Sequence, residues 1–394
     1  RSTLFPYTTL FRSTNLEINE KLGIKTAVRY ATLPNEPIAA LIRTVSVENI
    51  SGADIEIEMA DGMPKVIPYY MNTYAQKFMS TTIQAWTTVD NFEKNGNPFF
   101  RLKVDTADSA EVVEISEGNF YFGYAGNGKS LKKADIIIDP DILFGSDLSF
   151  ERPQNFFSRE NKFKYPVRQF AGNKYPCAFS HVVSKLAPKK NITLYSMAGH
   201  AGSVSLLNSF VKKASAPGYF EKKIMENKKL IRDITDKIST KSSMVNFDNY
   251  CRQMYLDNVL RGGYPISFED GAKSVSYYVY SRKHGDLERD YNEFQVSPNF
   301  YSQGNGNFRD INQNRRKDIF FNPQIGASAL KYFYNLIQMD GNNPLIVKGA
   351  YFVIDTKKAY YKDIEALLAG NGDKAKLENF FKKGFEPEIG RAHV

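Results

Sequence analysis

From Ser281 to Pro323 the chain is dense in side chains that give and take hydrogen bonds. It reads SRKHGDLERDYNEF and, two residues on, SPNFYSQGNGNFRDINQNRRKDIFFNP. Few apolar residues interrupt it. Arg309 offers a forked set of donors and Asp310 two acceptor oxygens, while Asn312, Gln313 and Asn314 each do both. Gly304 and Gly306 let the backbone turn tightly and approach a ligand. Sugar hydroxyls present donor and acceptor together at fixed angles, so this set suits the reading of a pyranose ring. His284 and Arg289 are candidates for the lining of the same pocket. The composition also fits a solvated loop. Arg282, Arg289 and Arg316 stand close in sequence to Asp286, Asp290 and Asp318, for which ion pairing or loop capping is the expected role.

A second motif invites a different chemistry and is rejected. Gly123 to Ser130, GYAGNGKS, fits the phosphate-loop pattern G-x-x-x-x-G-K-S, and Ile136–Ile138 with Asp139 imitates the acidic partner motif. That loop binds phosphate only where it opens a helix whose N-terminus faces the ligand. Here another strand-like run begins six residues after Ser130, with Pro140 following. A parallel crossover needs about a dozen residues or more. A tight glycine turn between antiparallel strands is expected instead.

Two kinds of periodicity frame these motifs. Up to about residue 200 the period is that of strands. Leu41, Val45 and Val47, a turn at 49–54, and Ile55, Ile57 and Met59 read as a hairpin. Further strands are expected at Phe100–Val104, Val112–Ile115, Phe120–Tyr124, Ala178–Val183 and Ile192–Met197. Many short strands with turn signals suggest an antiparallel sandwich. Beyond that the period becomes helical. Phe220, Ile224, Ile231, Ile234 and Ile238 form one stripe, and Phe247, Cys251, Met254 and Tyr255 a second. Leu330, Phe333, Tyr334 and Ile337 form a third, and Tyr360, Ile364, Leu367 and Leu368 a fourth. The expected fold class is multidomain β plus α. An N-terminal antiparallel β-sandwich spans 14–202 and a helical linker 203–241. A helical domain over 242–387 runs off the end.

Composition narrows the partners. The net charge of +9 is dispersed. Lys212–Lys213, Lys222–Lys223 and Lys228–Lys229 stand beside Glu221 and Glu226, which reads as a solvated helix face and argues against nucleic acid. No run approaches 18 apolar residues, so no membrane span is expected. Cys177 and Cys251 give neither a disulfide framework nor a metal spacing; a reducing, cytoplasmic location is expected, with no metal and no cofactor. The 24 Tyr and 29 Phe against the single Trp86 are mostly core and sheet packing, though flat apolar faces also stack on sugar rings.

Phe308-Arg309-Asp310-x-Asn312-Gln313 resembles the FRDxNQ segment of cellobiose phosphorylase-like inverting glycoside phosphorylases, the enzymes of glycoside hydrolase family 94. Leu41–Pro68 is similar to that family's hairpin IRxxxxxN…DGxPxxIPY, and Tyr255–Pro265 reads YLDNVLRGGYP. The resemblance spans nearly all of 14–387. It implies an N-terminal β-sandwich, a helical linker and the start of a truncated (α/α)6 barrel. It implies that Arg309 and Asp310 hold the glucosyl unit before the cleaved bond. Inorganic phosphate would then attack the anomeric carbon of a β-linked glucose disaccharide or oligosaccharide, while one carboxylic acid protonates the leaving oxygen. The product is α-glucose 1-phosphate, with inversion. A homodimer is the expectation for a full-length parent. The family usually has a second Asp directly after NQ; Asn314 stands there, followed by Arg315-Arg316, which leaves the sugar identity open. A hydrolase on the same barrel, or a non-catalytic carbohydrate-binding module, are the alternative readings.

Thr3 to Ser13, TLFPYTTLFRS, and Glu388 to Val394, EIGRAHV, look like translated sequencing adapters. Residues 1–13 and 388–394 are therefore expected to be artefactual and loosely attached, and the apolar start is not a targeting segment. The family's general acid and phosphate contacts are expected beyond Pro387. The polypeptide as written is expected to be inactive as a phosphorylase.

Overall fold

The computed structural model describes residues 12–71, 73–105, 110–127, 130–157, 163–170, 172–270, 273–279, 306–348, 352–354 and 361–368. Gly128, Lys129, His284, Asp286, Arg289, Asp290, Gly304, Tyr360 and the end segments 1–11 and 388–394 lie outside the described residues. The chain divides into two compact units after Arg232.

Unit 1 opens with β1 (Arg12–Asn19), β2 (Ile24–Thr32), β3 (Ala39–Asn49) and β4 (Ile55–Met63). Helices α1 (Thr73–Phe78) and α2 (Ser80–Trp86), β5 (Thr87–Asp90), α3 (Phe92–Asn95) and β6 (Phe99–Leu102) follow. Next come β7 (Gly118–Gly126), β8 (Leu131–Lys133), β9 (Asp135–Ile137), α4 (Pro140–Phe144), β10 (Ala178–Leu186) and β11 (Asn191–Ala201). Helix α5 (Val204–Ala214) and all but the last turn of α6 (Tyr219–Thr235) close the unit. Among the described residues the large sheet has the order β1-β2-β3-β11-β7-β6-β5, with β8 on β7, and a smaller sheet has the order β4-β10-β9. Every pairing between these strands is antiparallel.

The alternation along β7 and β11 places one core on each face of the large sheet. Phe120, Phe122 and Tyr124, with Tyr195, Met197 and Ile42, pack against Leu207, Phe210 and Val211 of α5 and Phe220 of α6. The register aligns Ile42, Met197 and Phe122 in one row. Tyr121 and Ala125, with Val45, Val47 and Leu194, face Ile57, Met59, Ala178 and Val182 of the smaller sheet. Each large apolar side chain fully buried this way contributes about 1.5–3 kcal/mol. Arg43 of β3 also reaches Asp61 of β4 through Nε, 2.9 Å from Oδ2, and Nη2, 2.6 Å from Oδ1.

Within unit 1 the structure corrects four expectations. Leu41–Met59 is not a hairpin, because β3 pairs with β2 and β11 whereas β4 pairs with β10 in the other sheet. Both strands have an apolar side to bury, and two facing sheets satisfy both. Residues 112–115 form no strand; Val112 is fully exposed. Arg12 and Ser13 are not irregular but pair in β1 with Ala31 and Tyr30 of β2, since an open sheet edge offers backbone partners to any extended sequence. Lys223 is not on a solvated face: it is buried, 2.8 Å from Glu36 and 2.9 Å from Glu226.

The Gly123–Ser130 segment links β7 to β8, and Tyr124 to Gly126 pair antiparallel with Lys133 to Leu131. A strand and not a helix follows the turn, so the phosphate-loop reading fails on structure as it does on sequence. The glycines have packing reasons. A Cβ on Gly123 would stand 2.3 Å from Ser180 Oγ in the facing sheet, and one on Gly126 would stand 2.0 Å from the Ser130 carbonyl oxygen across the turn.

Unit 2 contains α7 (Val245–Gly262), β12 (Tyr264–Asp270), β13 (Lys273–Val279), β14 (Gly306–Asn307), α8 (Phe308–Arg315) and α9 (Asp318–Phe321). It continues with α10 (Ser328–Asn335), β15 (Ile346–Val347) and α11 (Tyr361–Leu368). Among the described residues two antiparallel pairs, β12–β13 and β14–β15, therefore stand among helices in a region expected to be purely helical. Tyr264, Ile266 and Phe268 do alternate, a strand signal overlooked beside the stronger helical stripes. Of the second stripe, Tyr255 is buried while Phe247 and Met254 are exposed; of the third, only Phe333 is buried.

Candidate functional site

The sugar-reading segment becomes α8. Asn307 caps it, its Oδ1 accepting the Arg309 amide at 3.1 Å. The two-residue pairing of β14 with β15, and the Phe308 amide donating to the Leu345 carbonyl at 3.1 Å, hold the start of the helix. Phe308 and Ile311 anchor it against Phe333 and Val347, with the rings of Phe308 and Phe333 5.4 Å apart and edge-on.

A helix sorts the candidate residues by its period. Arg309, Asn312, Gln313 and Arg316 share one exposed face. Asp310 lies on the buried side and Asn314 at the margin. The predicted residues are thus split between two faces, with Arg309 and Asp310 meeting at the boundary. Arg309 Nε donates to Asp310 Oδ1 at 3.2 Å, from a side chain 81% exposed to one 10% exposed. Asp310 Oδ2 is buried without a hydrogen-bond partner among the described residues. Asn314 Nδ2 donates to the Asp310 carbonyl at 2.7 Å, which fixes its side chain along the helix. A carboxylate in the first turn also meets the positive end of the helix dipole.

The two resembling segments of unit 2 touch. Arg315 Nε donates to the Gly262 carbonyl at 2.5 Å. A Cβ on Gly262 would stand 3.2 Å from Asn314 Cβ and 3.3 Å from Arg315 Cγ, so the glycine in LRGGYP permits the close approach of α7 to α8. On that side lies a polar cluster which sequence reasoning did not assemble. Arg315 Cζ stands 3.7 Å from the centre of the Tyr278 ring, a cation–π contact, and burial lowers the arginine's pKa. Asp318 begins α9 beside it. Burial pushes the Asp318 carboxyl from its ordinary 3.8 up to about 6, while the Tyr278 hydroxyl, Arg315 and Lys237 pull it down without cancelling the burial effect. Burial likewise raises Tyr255 to about 12. Lys237 hydrogen-bonds Asn322 and stands 4.8 Å from the Tyr264 ring centre. Asp318 Oδ2 and the Tyr255 and Tyr278 hydroxyls are buried without a hydrogen bond of normal geometry among the described residues.

Desolvated carboxyls with raised pKa are the kind of group that functional sites use, though structural networks also produce them. The expected ion-pairing role of Asp318 gives way to a desolvated carboxyl near, but not salt-bridged to, Arg315. A signal for Arg315 was present in the sequence. Phe308, Ile311 and Arg315 have the i, i+3, i+7 spacing of a buried stripe. Tyr255 and Tyr278 carried no signal separable from ordinary core tyrosines.

Among the described residues no group of three or more His, Cys, Asp or Glu could hold a metal ion, and no helix is long and apolar enough to cross a membrane. Cys177 and Cys251 are free thiols.

Several solved structures resemble the chain at low similarity, two enzymes among them. One, described as a kojibiose phosphorylase from the human microbiome, covers 63% of this chain and 29% of its own at 8% identity, with a TM-score of 0.31. The other, a family GH92 inverting mannosidase from Bacteroides thetaiotaomicron, covers 68% of this chain and 29% of its own at 10% identity, with a TM-score of 0.24. The chain therefore spans less than a third of the length of either. No protein-family model and no curated protein matches it.

Proposed function

We propose that this chain is part of a carbohydrate-active enzyme, a glycoside phosphorylase that cleaves a β-glucoside with inorganic phosphate. In this reading the two sheets of unit 1 are the sandwich of such an enzyme, the 203–241 segment is the linker, and 242–387 begins its (α/α)6 barrel. The observation that carries the proposal is the state of Asp310. Its carboxylate is buried, fixed through one oxygen by Arg309, and holds the other oxygen without a donor among the described residues. A buried anionic acceptor lacking a donor is costly, and a sugar hydroxyl is a donor of the right kind.

Arg309, Asn312 and Gln313 then contact the glucosyl unit from the exposed face of α8, and Asn314 sets the side-chain order of the helix. His284 and Arg289, which lie outside the described residues, are proposed as further contacts to the sugar. Phosphate attacks the anomeric carbon from the face opposite the leaving sugar. The bond to the leaving oxygen breaks as a carboxylic acid protonates it. One displacement gives α-glucose 1-phosphate. Phosphate is a co-substrate, and the chemistry requires no cofactor.

The test is phosphorolysis of cellobiose by the full-length parent, following α-glucose 1-phosphate, with Asp310→Asn beside it. Product formation that falls strongly in the variant supports the assignment. Sugar cleavage that is independent of phosphate would favour a hydrolase.

A further inference from the structure

We propose that unit 1 carries a separate binding site for a neutral saccharide, in the cleft between α3, the β8–β9 segment and residues 165–169. The cleft is open on one side and offers about 750 Å³, within the range of about 300–1,000 Å³ typical of small-molecule sites. Its position in unit 1 makes it independent of the α8 reading.

The walls are held in place before any ligand arrives. Gln169 is buried; its Oε1 accepts the Ile138 amide at 2.8 Å, and its Nε2 donates to the Ile136 carbonyl at 2.8 Å and to Tyr165 Oη at 3.1 Å. The Tyr165 hydroxyl donates to the same Ile136 carbonyl at 2.8 Å. These bonds clamp residues 165–169 onto β9. On the other wall Lys133 Nζ donates to the Asn95 carbonyl and to Asn97 Oδ1, each at 2.6 Å. Gly96 lines the cleft with a left-handed φ of +61°, and a Cβ there would stand 3.2 Å from Lys133 Nζ. The glycine therefore keeps both the turn and the space beside the ammonium.

The lining specifies the chemistry of the occupant. Lys133 and Arg168 supply donors, and Glu93 and Asp135 supply acceptors. A charged ligand of either sign would be opposed by half of them. A polyhydroxyl ligand can accept from the cations and donate to the carboxylates at once. Phe92 and Val167 add apolar surface for the C–H face of a ring. Mixed polar groups around apolar walls of this size select a neutral sugar of one or two rings.

The experiment is calorimetric titration of the whole chain carrying Asp310→Asn, which weakens any binding at α8, with glucose, cellobiose and inorganic phosphate as probes. One of the sugars should bind saturably, phosphate should not compete, and adding Glu93→Ala with Arg168→Ala should weaken binding about tenfold or more. Both positions are exposed, and an unchanged Tm verifies the fold. If that variant melts early, Glu93→Gln with Arg168→Gln replaces it. The proposal is overturned if neither sugar binds in the Asp310→Asn background, if the cleft variants leave binding unchanged, or if phosphate displaces the sugar. Failure of the phosphorylase reading would leave these results unaffected.

Discussion

Two carboxylates eight residues apart, Asp310 and Asp318, differ in what their neighbours ask of them. Asp310 is fixed by Arg309 and has one oxygen without a donor among the described residues. Replacing it with Asn retains the shape and removes the charge. In the full-length parent this should lower kcat/KM for a glucosyl substrate by about 10- to 100-fold, since a hydrogen bond to a charged group is worth about 1.5–3 kcal/mol; steady-state kinetics at varied cellobiose checks it. Asp318 is desolvated, with a folded-state pKa of about 6 against an ordinary 3.8. A raised carboxyl pKa stabilises the folded state fully below the unfolded value. That contribution is lost as pH rises from about 3.8 to about 6 and stays lost above. Asp318→Asn should therefore melt above the unsubstituted chain at pH 7, with the advantage fading by pH 4. Melting curves across that range measure it, and a pH-independent difference would mean that the carboxyl is not desolvated. The chemistry of α8 was legible because its residue types are unusual together. The Asp318 environment was not, because it depends on Tyr278 reaching it from β13, a contact no spacing encodes.

The elements differ in how plainly their residues announce them. Long alternating runs such as β7, β10 and β11 were visible from period alone. The partner of β4 was not, because a strand's apolar alternation states which side is buried but not which strand lies beside it. Sheet approach has its own signature at Gly123. Gly123→Ala would place a methyl group 2.3 Å from Ser180 Oγ, and overpacking of this kind costs about 1–3 kcal/mol. Denaturant unfolding of the variant should show a lower midpoint. The same substitution at Gly202, where a methyl group would meet nothing within 4 Å, should not lower the midpoint by a comparable amount. At α8 the cap is the sensitive point. Asn307→Ala removes the acceptor of the Arg309 amide and should destabilise by about 1 kcal/mol. If Asn307 matters only as a cap, Asn307→Ser should recover most of that loss.

On the scale of the whole chain, the change from strand period to helical period near residue 200 was legible, since amphipathic repeats report it directly. The compact units divide inside α6, after Arg232, a detail that periodicity cannot supply because one helix crosses the boundary. The β12–β13 and β14–β15 pairs were hidden in a helical background, and the second of them is only two residues long on each side. That short pair nevertheless holds the start of α8, so the candidate site depends on the element least visible in the sequence. The role proposed for α8 is to read a glucosyl unit for phosphate-dependent cleavage. Its most direct test is the formation of α-glucose 1-phosphate from cellobiose and phosphate by the full-length parent, compared with Asp310→Asn at equal protein concentration. Phosphate-dependent product with inverted configuration, and a fall in kcat/KM of about 10- to 100-fold in the variant, are expected. No phosphate-dependent product, or equal kinetics in the two proteins, would contradict it.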